Sequence, residues 1–136
     1  MSKLKIAVIP GDGIGWEVVP EGIKVLEAVG AKYGLSYDFK EFDWGCERYH
    51  KTGKLMPDDG IQTLKQFDSI FLGACGYPGV PDHVSLWGLL IPIRREMKQY
   101  VNLIFVLTQN FYRKDHTGKV SFLHELILYV LSYLNL

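Results

Sequence analysis

Basic side chains that could hold an organic acid lie close together in one segment of the chain. Arg94, Arg95 and Lys98 belong to a stretch that predicts a helix from about residue 86 to residue 100. Guanidinium groups form paired hydrogen bonds with carboxylates, so an arginine facing a cleft can bind an acid. The two arginines point about 100° apart on a helix and cannot serve the same ligand. The alternative is a solvated basic face, partly neutralised by Glu96.

A glycine-rich turn joins a predicted strand to a predicted helix, with the sequence Pro10-Gly11-Asp12-Gly13-Ile14-Gly15. Glycines let the backbone approach a ligand closely, and the amino end of a helix offers unpaired N–H groups. The dinucleotide fingerprint G-x-G-x-x-G needs glycine in its sixth place, where this chain has Trp16. An acidic residue about twenty positions on, Asp38 or Glu41, keeps a Rossmann site open as an interpretation. The alternative is a tight turn that binds nothing.

Two histidines and two aspartates are weaker candidates for catalysis or metal binding. His50 and His83 have no cysteine or aspartate pair at ligand spacing, so we expect neither to be catalytic. Asp58 and Asp59 directly follow Pro57, and acidic residues in the first turn of a helix stabilise it. We therefore predict that these aspartates cap a helix rather than bind a metal ion.

The two cysteines, Cys46 and Cys75, lack the paired spacing of a metal or redox site. No histidine at suggestive spacing marks Cys75 as a nucleophile, so we expect this residue to fill a tight space. A disulfide framework is not indicated, and such cysteines suit a reducing cytoplasm. The sequence therefore predicts a cytoplasmic protein.

The overall composition excludes several classes of partner. A chain of 136 residues has room for one domain with a moderate core. Its 15 basic and 15 acidic residues cancel, so we expect neither nucleic acid nor an anionic membrane as a partner. The apolar stretch at residues 122–134 contains His124 and Glu125 and is shorter than the roughly 20 residues that span a bilayer.

Hydrophobic periodicity predicts the elements that must position these residues. Short apolar or alternating runs predict three strands, at residues 5–9, 36–42 and 69–73. Apolar spacings of three and four, or a proline with acidic residues at the start, predict helices at residues 15–33, 46–50 and 57–67. Gly34 ends the first helix, whose apolar positions include Val18, Val25 and Tyr33. The alternation of strands and helices predicts an α/β fold with a mainly parallel sheet flanked by helices.

A long connection follows the third predicted strand. Residues 74–85 are rich in glycine and proline, and loops of this length are often functional. The connection leaves the carboxyl end of a strand, where ligands of open α/β sheets bind. Pro92 lies inside the helix predicted after it and removes a backbone donor. That helix must therefore start later than residue 86 or be kinked.

Several of these segments, taken in order, resemble the β-decarboxylating dehydrogenases, a family that includes isopropylmalate, isocitrate, tartrate and D-malate dehydrogenases. The resemblance rests on Ile9-Pro10-Gly11-Asp12-Gly13-Ile14-Gly15, Leu55-Met56-Pro57-Asp58-Asp59-Gly60 and Phe71-Leu72-Gly73-Ala74-Cys75-Gly76-Tyr77-Pro78. Residues 80–90, 93–96 and 99–103 are most similar to the tartrate and D-malate branch. The resemblance covers residues 4–103 and implies the amino-terminal part of an isopropylmalate-dehydrogenase-like fold.

The resemblance also implies a chemistry and a set of site residues. Members of the family use NAD without the Rossmann fingerprint, together with Mg²⁺ or Mn²⁺. They oxidise the hydroxyl of a 2-hydroxy acid and usually release the neighbouring carboxylate as carbon dioxide. By resemblance, a small 2-hydroxy dicarboxylic acid would be bound by Arg94, in a pocket lined by Ser85, Leu86 and Trp87. The nicotinamide end of NAD would be bordered by Ile14, Ala74, Cys75, Gly76, Pro78 and Asp82.

The resemblance stops at residue 103. The family continues with Asn-Leu-Arg-Pro, whereas Ile104 and Phe105 follow Leu103 here. None of the family's remaining catalytic residues, metal-binding aspartates or adenosine contacts can be placed on residues 104–136. We therefore divide the chain into a partial dehydrogenase domain, residues 1–103, and a divergent tail, residues 104–136. Codons for Phe105-Val106-Leu107 can encode Arg-Pro when read two bases along, so a frameshift or read-through is our hypothesis for the tail.

Three interpretations of function follow. The first is a truncated NAD- and metal-dependent oxidative decarboxylase of the tartrate/D-malate type, inactive alone and lacking most of the family's homodimer interface. The second is a non-catalytic α/β module that binds a nucleotide or small acid. Its tail would form a helix covering a sheet edge or a partner through Phe122, Leu126, Tyr129, Val130 and Tyr133. The third is a Rossmann dehydrogenase domain, against which Trp16 argues.

Overall fold

A computed structural model of the chain describes residues 3–99, 102–114 and 120–132. Strand β1 (Leu4–Gly11) lies at the centre of a three-stranded sheet. It pairs in parallel with β2 (Tyr37–Glu41) on one side and with β3 (Ser69–Ala74) on the other. Its last six residues are buried, because neighbouring strands cover both of its edges and helices cover both of its faces. The predicted α/β fold with a parallel sheet is confirmed.

The two faces of the sheet carry separate cores. Ala7 and Ile9 point into the larger core, which is built mainly by the segments between β2 and residue 97. Ile6 and Val8 point the other way and pack with Val19. This alternation along β1 is the period of two that an extended strand imposes on its side chains.

Helix α1 (Gly15–Tyr33) covers the smaller core and has the predicted bounds. It ends at Gly34, which has a φ of 71° and donates its N–H to the carbonyl oxygen of Gly30. Of the apolar positions from which this helix was predicted, Val18, Val25 and Tyr33 are exposed. Only a narrow line of residues, including Val19 and Gly30, is fully buried, because a single helix lies on this face of a narrow sheet.

The larger core is covered by several short helices. Helix α2 (Cys46–Thr52) follows β2, and α3 (Gly60–Leu64) is shorter than the helix predicted for residues 57–67. The predicted capping role of the two aspartates is wrong. The N-cap residue Asp59 makes no side-chain capping bond, and Asp58 accepts a 2.6 Å hydrogen bond from Lys54 instead.

The helical segment after β3 begins earlier than predicted and also ends earlier. It consists of α4 (Asp82–Ser85), a π-helical turn (Leu86–Leu90) and α5 (Ile91–Glu96). The wide turn lets the N–H of Ile91 bond to the carbonyl oxygen of Leu86, five residues back. Pro92 is therefore accommodated at the start of α5, where its missing N–H and its ring disturb no regular helical turn.

Residues 99–136 form a separate unit. Within it, β4 (Asn102–Lys114) pairs antiparallel with β5 (Val120–Ser132). The helix predicted for the tail is therefore wrong: four of its five proposed face residues lie in β5, and Tyr133 lies outside the described residues. Residues 126–131 are uniformly apolar, and in such a run a helical spacing does not distinguish a helix from a strand. No helix in the described ranges is long and apolar enough to cross a membrane.

The close approach of β1 and β3 at their carboxyl ends generates a first prediction. A Cβ atom on Gly11 would lie 2.0 Å from the carbonyl oxygen of Ala74, and Gly11 has a φ of 78°. Gly13 has a φ of 49°, but a Cβ there would meet no atom within 4 Å. Gly11→Ala therefore combines backbone strain with a steric clash and should lower the free energy of unfolding by about 2–5 kcal/mol. Gly13→Ala should cost only the strain, about 1–2 kcal/mol.

Urea unfolding followed by circular dichroism measures both changes. Equal midpoints for the two variants would show that the contact with Ala74 does not limit the side chain at residue 11.

Candidate functional site

The candidate site lies at the carboxyl edge of the parallel sheet. Gly11 and Ala74, the last residues of β1 and β3, are register partners. The turn after β1 and the loop after β3 therefore leave the sheet side by side, at the edge where α/β proteins bind ligands. A 2.7 Å hydrogen bond from the N–H of Asp12 to the carbonyl oxygen of Ala74 joins these two segments.

The side chain of Asp12 is the centre of this edge. Its carboxylate is buried, with 2 % of the residue exposed, and it accepts three hydrogen bonds from backbone N–H groups. Oδ2 accepts from Cys46 at 2.9 Å and from Gly76 at 3.1 Å, and Oδ1 accepts from Glu47 at 3.0 Å. One carboxylate thus connects the turn after β1, the first residues of α2 and the loop after β3.

These contacts determine the charge state of Asp12. Burial alone would raise the pKa of the carboxyl, because it penalises the charged form. The N–H groups of Cys46, Glu47 and Gly76 and the thiol of Cys46 favour the anion and outweigh that cost. The pKa of Asp12 is therefore below its ordinary value of 3.8, and the group is an anion at neutral pH.

The two cysteines meet beside this carboxylate. The Sγ atoms of Cys46 and Cys75 are 4.0 Å apart, and neither cysteine forms a disulfide. Burial and the neighbouring Asp12 anion raise the pKa of the Cys46 thiol to about 11, and burial together with Cys46 and Asp12 also raises that of Cys75. Sequence spacing gave no sign of this proximity, because the two cysteines lie 29 positions apart in the chain. Cys75 packs against the larger core, as a residue filling tight space would.

The glycine-rich turn satisfies its own backbone. The first N–H groups of α1 already have acceptors within the turn, because those of Gly15, Trp16 and Glu17 bond to the carbonyl oxygens of Asp12, Gly13 and Ile14 at 2.9, 3.1 and 3.0 Å. The glycines at positions 11 and 15 make room for protein backbone, since a Cβ on either would meet a carbonyl oxygen at about 2 Å. This geometry favours the tight turn over a cradle for phosphate.

The residues predicted to border NAD are distributed along this edge. Ile14, at the N-cap of α1, is 62 % exposed. Within and after the loop, the exposed members are Gly76, Pro78 and Asp82, and the half-buried ones are Ala74 and Cys75. The exposed apolar surface of Ile14 is compatible with a nicotinamide ring. The backbone hydrogen bond from Gly76 to Asp12 holds the start of the loop in place.

The residues predicted to bind the acid share the helical segment from Asp82 to Glu96. Ser85 is buried, and its hydroxyl donates a 2.9 Å hydrogen bond to the carbonyl oxygen of Asp82. Leu86 and Trp87 are 41 % and 62 % exposed, at the start of the π-helical turn. Arg94, on α5, is exposed, and no carboxylate among residues 3–99 lies within ion-pair distance of it. Its guanidinium group is therefore available to a ligand.

Two surface clefts lie near these segments but are lined by other residues. A cleft of about 170 Å³ lies between the turn after β1 and α2, where Trp16, Arg48 and Lys51 contribute side chains. Another, of about 370 Å³, lies between the α2–α3 connection and the helical segment around Val84 and Gly88. Neither contains the predicted acid-binding residues.

The described residues do not fit the metal ion that the family resemblance implies. Among residues 3–99, the potential ligand group with three members is formed by Asp12, Cys46 and Cys75. Mg²⁺ and Mn²⁺ prefer oxygen ligands, and two of these three ligand atoms are sulfur. No step that uses a hard metal ion can be assigned to these residues.

Gly76 was predicted to border NAD, but Asp12, Cys46 and Glu47 were not identified from the sequence as site residues. The three N–H donors lie 34, 35 and 64 positions along the chain from Asp12, so local patterns could not pair them. The only local signal was an aspartate in a turn directly after a buried strand, at the ligand-binding edge of the fold.

The role of Asp12 generates a second prediction. Asp12→Asn removes the charge and presents an NH₂ group to a site that contains N–H donors. We expect it to lower the free energy of unfolding at neutral pH by about 2–4 kcal/mol, because buried donors lose their acceptor. Asp58→Asn, at an exposed ion pair with Lys54, should change it by less than about 1 kcal/mol.

Urea unfolding at several pH values tests this account. The pKa of Asp12 is lower in the folded than in the unfolded chain, so its contribution exists above about pH 4 and is lost as the pH falls through the folded-state value. The stability difference between wild type and Asp12→Asn should therefore shrink in acid. A difference independent of pH would contradict a role for the charge.

Comparisons with known proteins place this chain in a family. The family model for isocitrate/isopropylmalate dehydrogenase matches residues 5–126. A tartrate dehydrogenase/decarboxylase of Pseudomonas putida is 56 % identical over 103 residues, which cover 74 % of this chain and 28 % of that protein. A decarboxylating D-malate dehydrogenase of Escherichia coli is 53 % identical over 105 residues, which cover 76 % of this chain and 29 % of that protein. The chain thus spans less than a third of the length of these relatives.

Solved structures show the same fold at lower sequence identity. A β-decarboxylating dehydrogenase from Thermococcus kodakarensis has a TM-score of 0.61 at 21 % identity, covering 91 % of this chain and 41 % of that one. An isocitrate dehydrogenase from Methylococcus capsulatus has a TM-score of 0.61 at 23 % identity, covering 93 % and 34 %. With the family match over most of its length, the chain belongs to the isocitrate/isopropylmalate dehydrogenase family.

Proposed function

We propose that this chain provides the acid-binding and nicotinamide-side part of an NAD-dependent oxidative decarboxylase that acts on tartrate or D-malate. The observation that carries the proposal is the identity of 56 % and 53 % to a tartrate dehydrogenase/decarboxylase and a D-malate dehydrogenase. Isopropylmalate and isocitrate carry larger groups beside the hydroxyl than tartrate and malate do. Similarity to the tartrate and D-malate branch therefore favours a smaller substrate.

Arg94 is the proposed ligand of a substrate carboxylate. It is exposed on α5, has no acidic partner among residues 3–99, and offers two parallel N–H donors to a carboxylate. Leu86 and Trp87 lie earlier on the same helical segment and present bulky apolar side chains at the surface. These bulky side chains fill space beside the bound acid, so that only a small substituent fits there. This suits malate or tartrate better than a longer acid.

The nicotinamide side would be formed at the carboxyl edge of the sheet, by Ile14 and by the loop residues Ala74, Cys75, Gly76 and Pro78 with Asp82. When bound, NAD supplies the acceptor for the hydride removed from the substrate carbon. The chain's own contribution is positional. Asp12 holds the loop through the N–H of Gly76, which fixes the surface that the ring would contact.

We further propose that the 136-residue chain does not complete the reaction alone. The family's Mg²⁺ or Mn²⁺ and its acid–base groups each accelerate such a reaction by orders of magnitude. The sulfur-containing ligand group at Asp12 does not suit that ion, and the relatives are more than three times as long as the matched segment. A homodimer and a cytoplasmic location, both usual for the family, belong to the same proposal.

The interpretation of residues 104–136 as a divergent tail is a separate hypothesis. The family match reaches residue 126 and therefore includes part of this segment. Sequencing the gene tests a frameshift after residue 103: an open frame that continues the family pattern just downstream would support it, and its absence would contradict it.

A non-catalytic module that binds a small acid is the second candidate function. It is favoured by two hydrophobic cores whose identified members belong to residues 3–99. Both candidates predict binding of an acid at Arg94, and they differ in whether any assembly containing this chain turns the acid over.

A third prediction concerns Arg94. Arg94→Ala should weaken binding of D-malate or tartrate by roughly 10–100-fold, because one charge-assisted bidentate contact is lost. Arg95→Ala is the matched control, since it removes the same charge from a position about 100° away on the helix and should change affinity by less than about twofold. Isothermal titration calorimetry of both variants measures the difference. Equal losses of affinity in the two variants would show that Arg94 acts only through its positive charge and forms no specific contact with the acid.

A fourth prediction concerns turnover. The purified 136-residue chain should produce no NADH from D-malate or tartrate in the presence of NAD and Mn²⁺, as followed by absorbance. The buffer without protein sets the background. Sustained NADH formation that disappears in Arg94→Ala would show that the chain is a complete enzyme.

A further inference from the structure

Three metal-ligating side chains from distant parts of the chain converge beside the sheet. A carboxylate oxygen of Asp12 and the Sγ atoms of Cys46 and Cys75 all lie within 4.8 Å of one another. The two sulfur atoms are 4.0 Å apart. Two thiolates bound tetrahedrally to one zinc ion at Zn–S bonds of about 2.3 Å would be about 3.8 Å apart. The sulfur pair is therefore already close to the separation that one such ion requires.

We propose that Asp12, Cys46 and Cys75 form a binding site for a thiophilic divalent cation, with Zn²⁺ as the fitting ion. Two sulfur ligands select against Mg²⁺ and Mn²⁺, which the family uses with oxygen ligands. The site is independent of the proposed acid binding at Arg94.

The surrounding charges are consistent with Zn²⁺. Two thiolates and one carboxylate carry three negative charges, which a divalent ion reduces to one. The N–H groups of Cys46, Glu47 and Gly76 already point at the carboxylate and compensate the remaining charge. These three bonds occupy three of about four lone-pair positions of the carboxylate, which leaves one for an ion.

The fourth coordination position would be filled from outside the protein. Cys46 is fully buried, whereas Cys75 is half-buried, so a water molecule can reach the cluster from the side of Cys75. Three protein ligands and one water are a common arrangement for zinc. A metal ion here would also tie the start of α2 to the loop after β3, next to the hydrogen bonds of Asp12.

The proton balance of binding follows from the state of the ligands. Zinc binds the thiolate form of cysteine, and the ordinary pKa of a cysteine thiol, about 8.5, lies above neutral pH, so each thiol must lose its proton on binding. Binding converts two thiols, one carboxylate and Zn²⁺ into a complex of net charge −1 and releases two protons. No oxidant is involved, and the chain is kept reduced by a phosphine in every measurement.

The test uses the full 136-residue chain, reduced and freed of metal with a chelator. Co²⁺ is added first, because thiolate coordination to Co²⁺ gives a charge-transfer absorption band that carboxylate or histidine coordination does not give. We expect the band to saturate at one equivalent and to disappear when Zn²⁺ displaces Co²⁺. A pH indicator should record two protons released for each Zn²⁺ bound. The midpoint of thermal unfolding should rise with Zn²⁺ concentration, because the ion binds the folded chain.

Cys46→Ser and Cys75→Ser should each weaken Zn²⁺ binding by at least roughly 100-fold, since loss of a ligand costs more than loss of an outer-shell partner. His83→Ala, at an exposed residue on α4, is the matched control and should leave affinity unchanged. Urea midpoints in chelator show whether each variant is folded. If Cys46→Ser unfolds, the half-buried Cys75→Ser decides the question.

Absence of the thiolate band, or Zn²⁺ affinity unchanged in a folded Cys75→Ser chain, would overturn the proposal. Neither result would affect the binding of D-malate at Arg94, so failure of this site and failure of the proposed function are distinguishable.

Discussion

The carboxyl edge of this fold depends on one buried anion. Removing the Asp12 carboxylate from water is costly, and the cost is offset because three backbone N–H groups are presented to it. Those donors belong to the first turn of α2 and to the loop after β3, so satisfying the anion fixes both segments relative to β1. The proximity of the two thiols is a consequence, since Cys46 is one donor and Cys75 directly precedes another.

The elements that could be predicted from the sequence are those whose signals are local. The apolar run of β1 and the helix ended by Gly34 have the expected positions because neighbouring residues alone specify them. The contacts of Asp12 could not be predicted, because its donors lie tens of residues away and backbone N–H groups leave no residue-type signature. The same limit applies to the tail, where a uniformly apolar run suits a helix or a strand until its pairing partner is known.

The glycine-rich turn shows how a motif can be correct for a family and misleading about mechanism. The sequence pattern of this turn predicted a place where a ligand approaches the backbone. In the structure, no side chain fits at Gly11 or Gly15, because β1, β3 and α1 meet there. The first N–H groups of α1 form hydrogen bonds within the turn. Any nicotinamide contact at this edge must then come from exposed side chains such as Ile14 and from the loop after β3, rather than from a glycine cradle.

Arg94 and the Asp12 cluster obey different physical rules. Arg94 is exposed and lacks an acidic partner among residues 3–99, so water solvates its guanidinium group. A ligand carboxylate can replace that water at little cost. Asp12 is buried and accepts three backbone hydrogen bonds, so its charge organises the protein. A cation that enters the Asp12 cluster must displace thiol protons, whereas an anion at Arg94 displaces only water. The same chain can therefore present an anion site and a soft-cation site without one neutralising the other.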